Sequence, residues 1–154
     1  MKIGLDFHDT ISYAPDFFVK FIREWDGDVY IVTGTPPSKL NEVERDLKKI
    51  GLKKEDFKDI LLGFEYEKEN MDLAKHKLKL LKDNNIQVYV DDNPFYVSYV
   101  KDHGILALQP ILAEKYLKAF AEADPFFTCN LQKMQFDYLK ELDNKKMVRK
   151  EESK

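Results

Sequence analysis

Short apolar runs alternate with longer amphipathic stretches over residues 1–110. MKIGLDF predicts a first strand. PDFFVKFIREW carries Phe17, Phe18, Phe21, Ile22 and Trp25 at helical spacing, and Pro15 suits a first helical turn. After the turn DGD, the β-branched run VYIVTGT predicts a second strand closed by Gly34. SKLNEVERDLKKIG predicts a helix with Ser38 as its cap and Gly51 as its stop. ILLGF predicts a third strand, MDLAKHKLKLLKDNN a helix and IQVYVDD a fourth strand. PFYVSYVKDHG predicts a short helix capped by Asn93-Pro94 and ended by Gly104, and ILALQP a fifth strand. No internal repeat interrupts this order.

The tail reads differently. ILAEKYLKAFAEA predicts a last domain helix, which Asp124-Pro125 breaks. NLQKMQFDYLKELDNKKMVRK is again amphipathic, with Leu131, Met134, Phe136, Tyr138, Leu139 and Leu142 apolar. The expectation is an α/β domain over residues 1–124 and a helical extension over 125–154. That extension would pack on the domain or on a partner subunit, the second arrangement giving a homo-oligomer.

Strands alternating with helices imply a parallel sheet covered on both faces. Ligands of such sheets lie beyond the carboxyl ends of the strands, where the strand order switches. Three groups of chemically able residues fall at predicted strand ends: Asp6 with His8, Thr33 with Gly34, and Asp91 with Asp92. Each alone has a plain reading, a turn carboxylate or a strand-to-loop corner. Their common position is what points to a site. Carboxylates converging on one point repel each other unless a cation sits among them. Oxygen donors without a Cys or His cluster suit Mg²⁺. Asp6 and Asp91, with Asp92 direct or through water, are candidate ligands. A metal beside a nucleophilic Asp suits phosphoryl transfer, with Thr33 and the Gly34 N–H on the phosphate. A lysine from the later helix would hold both phosphate and Asp6.

Composition narrows the setting. The chain has 154 residues, enough for one domain, and 44% hydrophobic residues, enough for a core. Its net charge of -3 argues against nucleic acid as a bulk electrostatic partner. Cys129 is the single cysteine, so no internal disulfide forms, and a reducing cytoplasm is expected. No apolar stretch approaches the ~20 residues that span a bilayer, so no membrane association is expected.

Asp6-Phe7-His8-Asp9-Thr10-Ile11 resembles the first motif, DxDx(T/V), of the haloacid dehalogenase-like (HAD) superfamily. Thr33-Gly34 resembles its second motif and Asp91-Asp92 its fourth. The order matches, over residues 1–110. The resemblance implies a HAD-like Rossmannoid fold with a central parallel sheet; only one helix fits between Ser12 and Asp28, and Pro36 to Lys75 has no room for a large extra domain, so almost no cap is expected. It implies a Mg²⁺-dependent phosphohydrolase of phosphomonoesters, a nucleotide among the candidates, working through an aspartyl-phosphate. Asp6 would be nucleophile and metal ligand, Thr33 a phosphate contact, Asp91 a metal ligand and Asp92 its assistant. The third motif is a lysine, and Lys75 and Lys77 both remain open, Lys77 fitting the spacing slightly better. The departure is His8, where phosphatases of the family usually carry a second Asp. Its backbone carbonyl would still serve the metal, and imidazole suits proton transfer near neutrality. The competing expectation is a catalytically silent HAD-like module that binds a phosphorylated ligand or a protein partner.

Overall fold

Alternation within each strand sorts its residues onto two faces of the sheet. A computed structural model describes residues 1–65 and 70–110, residues 70 and 71 by their backbone alone. Strands β1 (Ile3–Asp6), β2 (Val29–Val32), β3 (Asp59–Leu61), β4 (Val88–Val90) and β5 (Leu106–Leu108) form one parallel sheet, ordered β3-β2-β1-β4-β5. Helices α1 (Pro15–Glu24), α2 (Leu40–Lys49), α3 (Asn70–Asp83) and α4 (Pro94–Asp102) connect them. Each predicted strand and helix within residues 1–110 is present. The expected helices beyond residue 110, including the extension over 125–154, lie outside the described residues.

Ile3, Leu5, Val29, Ile31, Val88 and Val90 pack with Phe18 and Ile22 of α1 and Val43 and Leu47 of α2. The intervening positions Tyr30, Val32 and Tyr89 pack with Leu78 and Leu81 of α3 and Val100 of α4. One face of the sheet therefore carries α1 and α2, the other α3 and α4. Over β1, β2 and β4 both faces are buried, which explains why these strands read as nearly continuous apolar runs, whereas Leu106 and Leu108 of the edge strand β5 are exposed. Gly4 lies on the α3 side, where a Cβ would come within 3.0 Å of Leu81 Cδ2 and 3.1 Å of Val32 Cγ2. Its missing side chain lets α3 settle close to the centre of the sheet.

One local expectation fails. Ser38 does not cap α2. The chain after Pro36 enters a tight 3₁₀ turn, Pro37–Lys39, and α2 begins only at Leu40 with no side-chain cap. Proline supplies the φ that starts such a turn, and the Ser38 N–H donates to Glu65 Oε1 at 2.8 Å. Pro15 and Asn93 behave as expected: Pro15 opens α1, and the Asn93 side chain accepts from the Phe95 N–H at 2.9 Å.

The chain runs β1-β2-β3 outward on one side and then crosses back to place β4 against the other side of β1. The switch in direction thus falls between β1 and β4. An irregular helical turn, Phe7–Ile11, follows β1 directly, with Asp9 in the left-handed region at φ 57°. Its link to α1 is only residues 12–14, too short for a cap domain.

Candidate functional site

Asp6 ends β1 on the α3 side, and Asp91 follows β4 on that same side, two positions after Tyr89. Because β1 and β4 are hydrogen-bonded neighbours, both carboxylates arrive at the switch point. Lys77 arrives from α3. Its Nζ donates to Asp6 Oδ1 at 2.9 Å and to Asp91 Oδ2 at 2.7 Å. All three side chains are buried. An ammonium removed from water is tolerated only when paired and hydrogen-bonded, and here two carboxylates do both. The Tyr96 ring completes the enclosure, its centroid 4.4 Å from the ammonium.

Of the two lysines left open by the sequence, Lys77 meets the carboxylates and Lys75 is exposed to solvent. Helical spacing separates them. Ala74 and Leu81 are fully buried, and Lys77 lies three residues after the first and four before the second. It therefore shares their face.

Around this core lie the remaining candidates. Asp92 is half-buried, and one carboxylate oxygen from each of Asp6, Asp91 and Asp92 falls within 4.8 Å of the others. Thr33 is buried at the end of β2, its hydroxyl 3.0 Å from that of Thr35 and accepting from the Thr35 N–H at 3.2 Å. Gly34 is exposed beside it. Gly63 permits this corner: its N–H donates to Thr35 O at 2.8 Å, and any Cβ there would overlap the Gly34 carbonyl. His8 is exposed, its ring edge-on to Phe7 with centroids 5.0 Å apart. These residues line an open cleft of about 280 Å³, together with Asp9, Thr35, Leu73, Asn93 and Tyr96. A larger groove of about 840 Å³ runs beside α2, over Leu47, Leu52 and Phe57 with charged residues at its rim. It holds none of the candidate residues, and chemistry rather than size selects the smaller cleft.

The charges explain one another. Three carboxylates and one ammonium would sum to an excess of negative charge in a largely dry corner. Burial, reinforced by Asp91 and Asp92 against the opposing pull of Lys77, raises the Asp6 carboxyl from 3.8 to about 7. Burial opposes the charge of Lys77, but Asp6 and Asp91 outweigh it and hold its ammonium above the ordinary value. The donor set fits a hard divalent cation: the ligands are oxygens, they converge, and an added double positive charge would offset what the protein alone relieves by retaining a proton.

Sequence reasoning passed over several residues that hold the site. Thr10 is fully buried and its Oγ1 accepts from the Asp92 N–H at 3.0 Å, tying the turn after β1 to the end of β4. The Asn93 N–H donates to Asp91 Oδ1 at 2.8 Å, so Asn93 serves Asp91 as well as α4. Tyr89 is fully buried and its hydroxyl bonds Asp91 Oδ2. Thr10 stands inside the first matched motif, and Asn93 directly follows the fourth. Tyr89 gave no signal beyond its place on the same strand face as Asp91.

No protein-family model matches the chain, and no curated protein matches it. Solved structures do. The N-terminal part of a Bacteroides fragilis protein, containing a phosphatase domain and complexed with Mg, is 18% identical, with a TM-score of 0.51. The match covers 70% of this chain but 35% of that one, so the chain spans about a third of that structure's length. An uncharacterised protein of Corynebacterium glutamicum is 10% identical over 83% of this chain and 97% of that one, with a TM-score of 0.52. A HAD family enzyme of Bacteroides thetaiotaomicron, in complex with magnesium, is 20% identical over 75% of this chain and 58% of that one, with a TM-score of 0.46. At these identities the likeness is one of fold. The fold is a Rossmannoid α/β one, a five-stranded parallel sheet flanked by helices, shared with the Bacteroides fragilis phosphatase domain. Among the described residues no helix is long and apolar enough to cross a membrane.

Proposed function

We propose that the chain is a Mg²⁺-dependent phosphohydrolase of phosphomonoesters, with Asp6 as its nucleophile. The observation that carries this reading is the bridge from Lys77 to Asp6 and Asp91 at the switch point, beside the buried Thr33 hydroxyl. The Mg in the Bacteroides fragilis phosphatase domain supports the choice of ion. Asp6, Asp91 and Asp92 would hold it, with the His8 carbonyl. When bound, the ion would neutralise phosphoryl charge.

Lys77 takes Asp6 Oδ1 and leaves Oδ2 to attack phosphorus. The P–O bond to the leaving group breaks as an aspartyl-phosphate forms, and His8 gives the departing oxygen its proton. Thr33 and the Gly34 N–H bond the phosphoryl oxygens, and Lys77 offsets charge at Asp6. A water then attacks the same phosphorus and gives its proton to His8. The P–O bond to Asp6 breaks and inorganic phosphate leaves. The open cleft of about 280 Å³ lies at the small end of ligand pockets, which run to roughly 300–1,000 Å³, and suits a phosphoryl group. The rest of the substrate, a nucleoside among the candidates, would therefore lie outside it.

The test is hydrolysis of an aryl phosphate with Mg²⁺ by the protein and by Asp6→Asn. The expected outcome is a loss of about 10³-fold or more in kcat, since an amide in place of the Asp6 carboxylate cannot form the aspartyl-phosphate. Equal rates would refute the proposal. A second reading rests on His8 standing where a carboxylate is usual: a module that binds a phosphorylated ligand without turning it over. Binding of Mg²⁺ and phosphate by the unaltered protein, with no hydrolysis, decides for it.

A further inference from the structure

Tyr89 is a fully buried phenol that the chemistry above does not use. Its ring packs in the core between the sheet and α3 and α4, a task that Phe would perform. Its hydroxyl needs another explanation, because burying a hydroxyl is costly unless it is bonded. The partner is Asp91 Oδ2, the same oxygen that receives Lys77. Asp91 Oδ1 accepts from the Asn93 N–H at 2.8 Å. Three donors thus reach one carboxylate from three directions: β4 itself, the start of α4 and α3. A phenol carries one O–H donor and a carboxylate oxygen accepts, so the Tyr89 hydroxyl donates to Asp91. Asp91 follows β4 two positions after Tyr89, so the two share a face, and of the two only Asp91 lines the cleft.

We propose that the Tyr89 hydroxyl is a positioning group for the cation site: it holds the Asp91 carboxylate in the one orientation that serves both Lys77 and a Mg²⁺ ion in the cleft. Without it, Asp91 is held on that oxygen by Lys77 alone, whose long side chain also answers to Asp6. The carboxylate can then turn toward the ammonium and away from Asp92. This inference rests on the proposed Mg²⁺ site and says which residue outside the ligand set tunes it. Partners that orient metal ligands contribute about 10–100-fold in affinity or activity.

The test is Mg²⁺ titration by calorimetry of the full chain, the Tyr89→Phe variant and a Val100→Ala control. Val100 is fully buried in the same cluster and its side chain has no polar atom with which to bond Asp91, so it reports softening of the core alone. The expected result is Mg²⁺ binding about 10–100-fold weaker in Tyr89→Phe and within about twofold of the unaltered protein in Val100→Ala. With a phosphomonoester that is turned over, kcat falls at saturating Mg²⁺ while KM stays close to its original value. A Tyr89→Phe protein too soft at 25 °C is titrated in the cold with a stabilising osmolyte. Equal Mg²⁺ affinity in Tyr89→Phe and the unaltered protein overturns the inference and leaves the phosphohydrolase reading standing. An equal loss in Val100→Ala also overturns it, because the effect is then general softening. Absence of Mg²⁺ binding by the unaltered protein removes the cation site, and with it both proposals.

Discussion

Helices α2 and α3 are both rich in lysine and both lie on the sheet, yet they treat the residue oppositely. In α2, Lys48 and Lys49 are solvent-exposed, and Lys49 meets Asp46 at 3.0 Å on the surface. In α3, Lys75 and Lys79 are exposed likewise, but Lys77 is turned inward between two buried carboxylates. The side chain is the same, and the difference lies in what the sheet offers beneath it. Under α2 the strands present Ile31 and Leu5, with which no ammonium can bond. Under α3 they present Gly4 and then Asp6, with Asp91 alongside. A buried cation is stable only where the opposite charge was already there to meet it. A lysine on the apolar stripe of an amphipathic helix is therefore a stronger sign of a site than any lysine count.

The largest test of that contrast is Lys77→Ala beside Lys48→Ala. Removing one partner of a buried ion pair leaves uncompensated charge and costs about 3–5 kcal/mol. Lys77→Ala is expected to lose that much in urea unfolding without metal and to recover part of it when Mg²⁺ is added, because the ion relieves the stranded carboxylates. Lys48→Ala is expected to unfold within about 2 °C of the unaltered protein. Similar losses in the two variants would show that Lys77 is held no differently from a surface lysine.

Next in size is a pH effect that belongs to the α3 side alone. Folded Asp6 keeps its proton up to about pH 7, whereas an unfolded Asp releases it near 3.8. Between those values the folded state binds more protons, so stability falls as pH rises. The contribution is complete below pH 3.8 and lost as pH passes through about 7. Without metal, the loss between pH 5 and pH 8 is on the order of 2 kcal/mol. In Asp6→Asn, which has no such proton to lose, the slope over that window is expected to flatten. Parallel slopes for the two proteins would mean that Asp6 titrates as an exposed carboxylate does.

The contrast also shows what a sequence carries and what it withholds. The strands were legible because a sheet buried on both faces demands apolar, β-branched runs, as in VYIV and VYV. Asp6, Thr33, Asp91 and Asp92 were legible because polar residues ending such runs have few structural reasons to be there. Lys77 was legible in principle, through its spacing to Ala74 and Leu81, but many lysines on one helix hid it. Ser38 misled because Pro36-Pro37 moves the start of α2 by a turn, and capping depends on that start. Tyr89 was not legible: an aromatic residue in a core strand is ordinary, and the bond that sets it apart depends on a side chain two residues on. Thr10 stood in the first motif, but its bond was hidden, since its partner, the Asp92 N–H, lies 82 positions away in sequence.

The smallest expected effect sharpens the comparison most narrowly, within α3 itself. Lys75 and Lys77 are two residues apart, on either side of His76, and a resemblance of motifs did not decide between them. His76 is half-buried, its Nε2 2.9 Å from Leu62 O and its ring 4.2 Å from that of Phe64. It faces the end of β3, while Lys77 faces β1 and β4. Each residue advances about 100° around the helix, so Lys75 lies about 200° from Lys77 and points away from the carboxylates. Lys75→Ala is accordingly expected to change the melting temperature by less than about 2 °C and kcat by less than about twofold, with Mg²⁺ affinity unaltered. Thermal unfolding and the aryl phosphate assay check both. A loss of turnover in Lys75→Ala comparable with that in Lys77→Ala would mean that the working helix is rotated relative to the one described, and the assignment of the lysine would pass to Lys75.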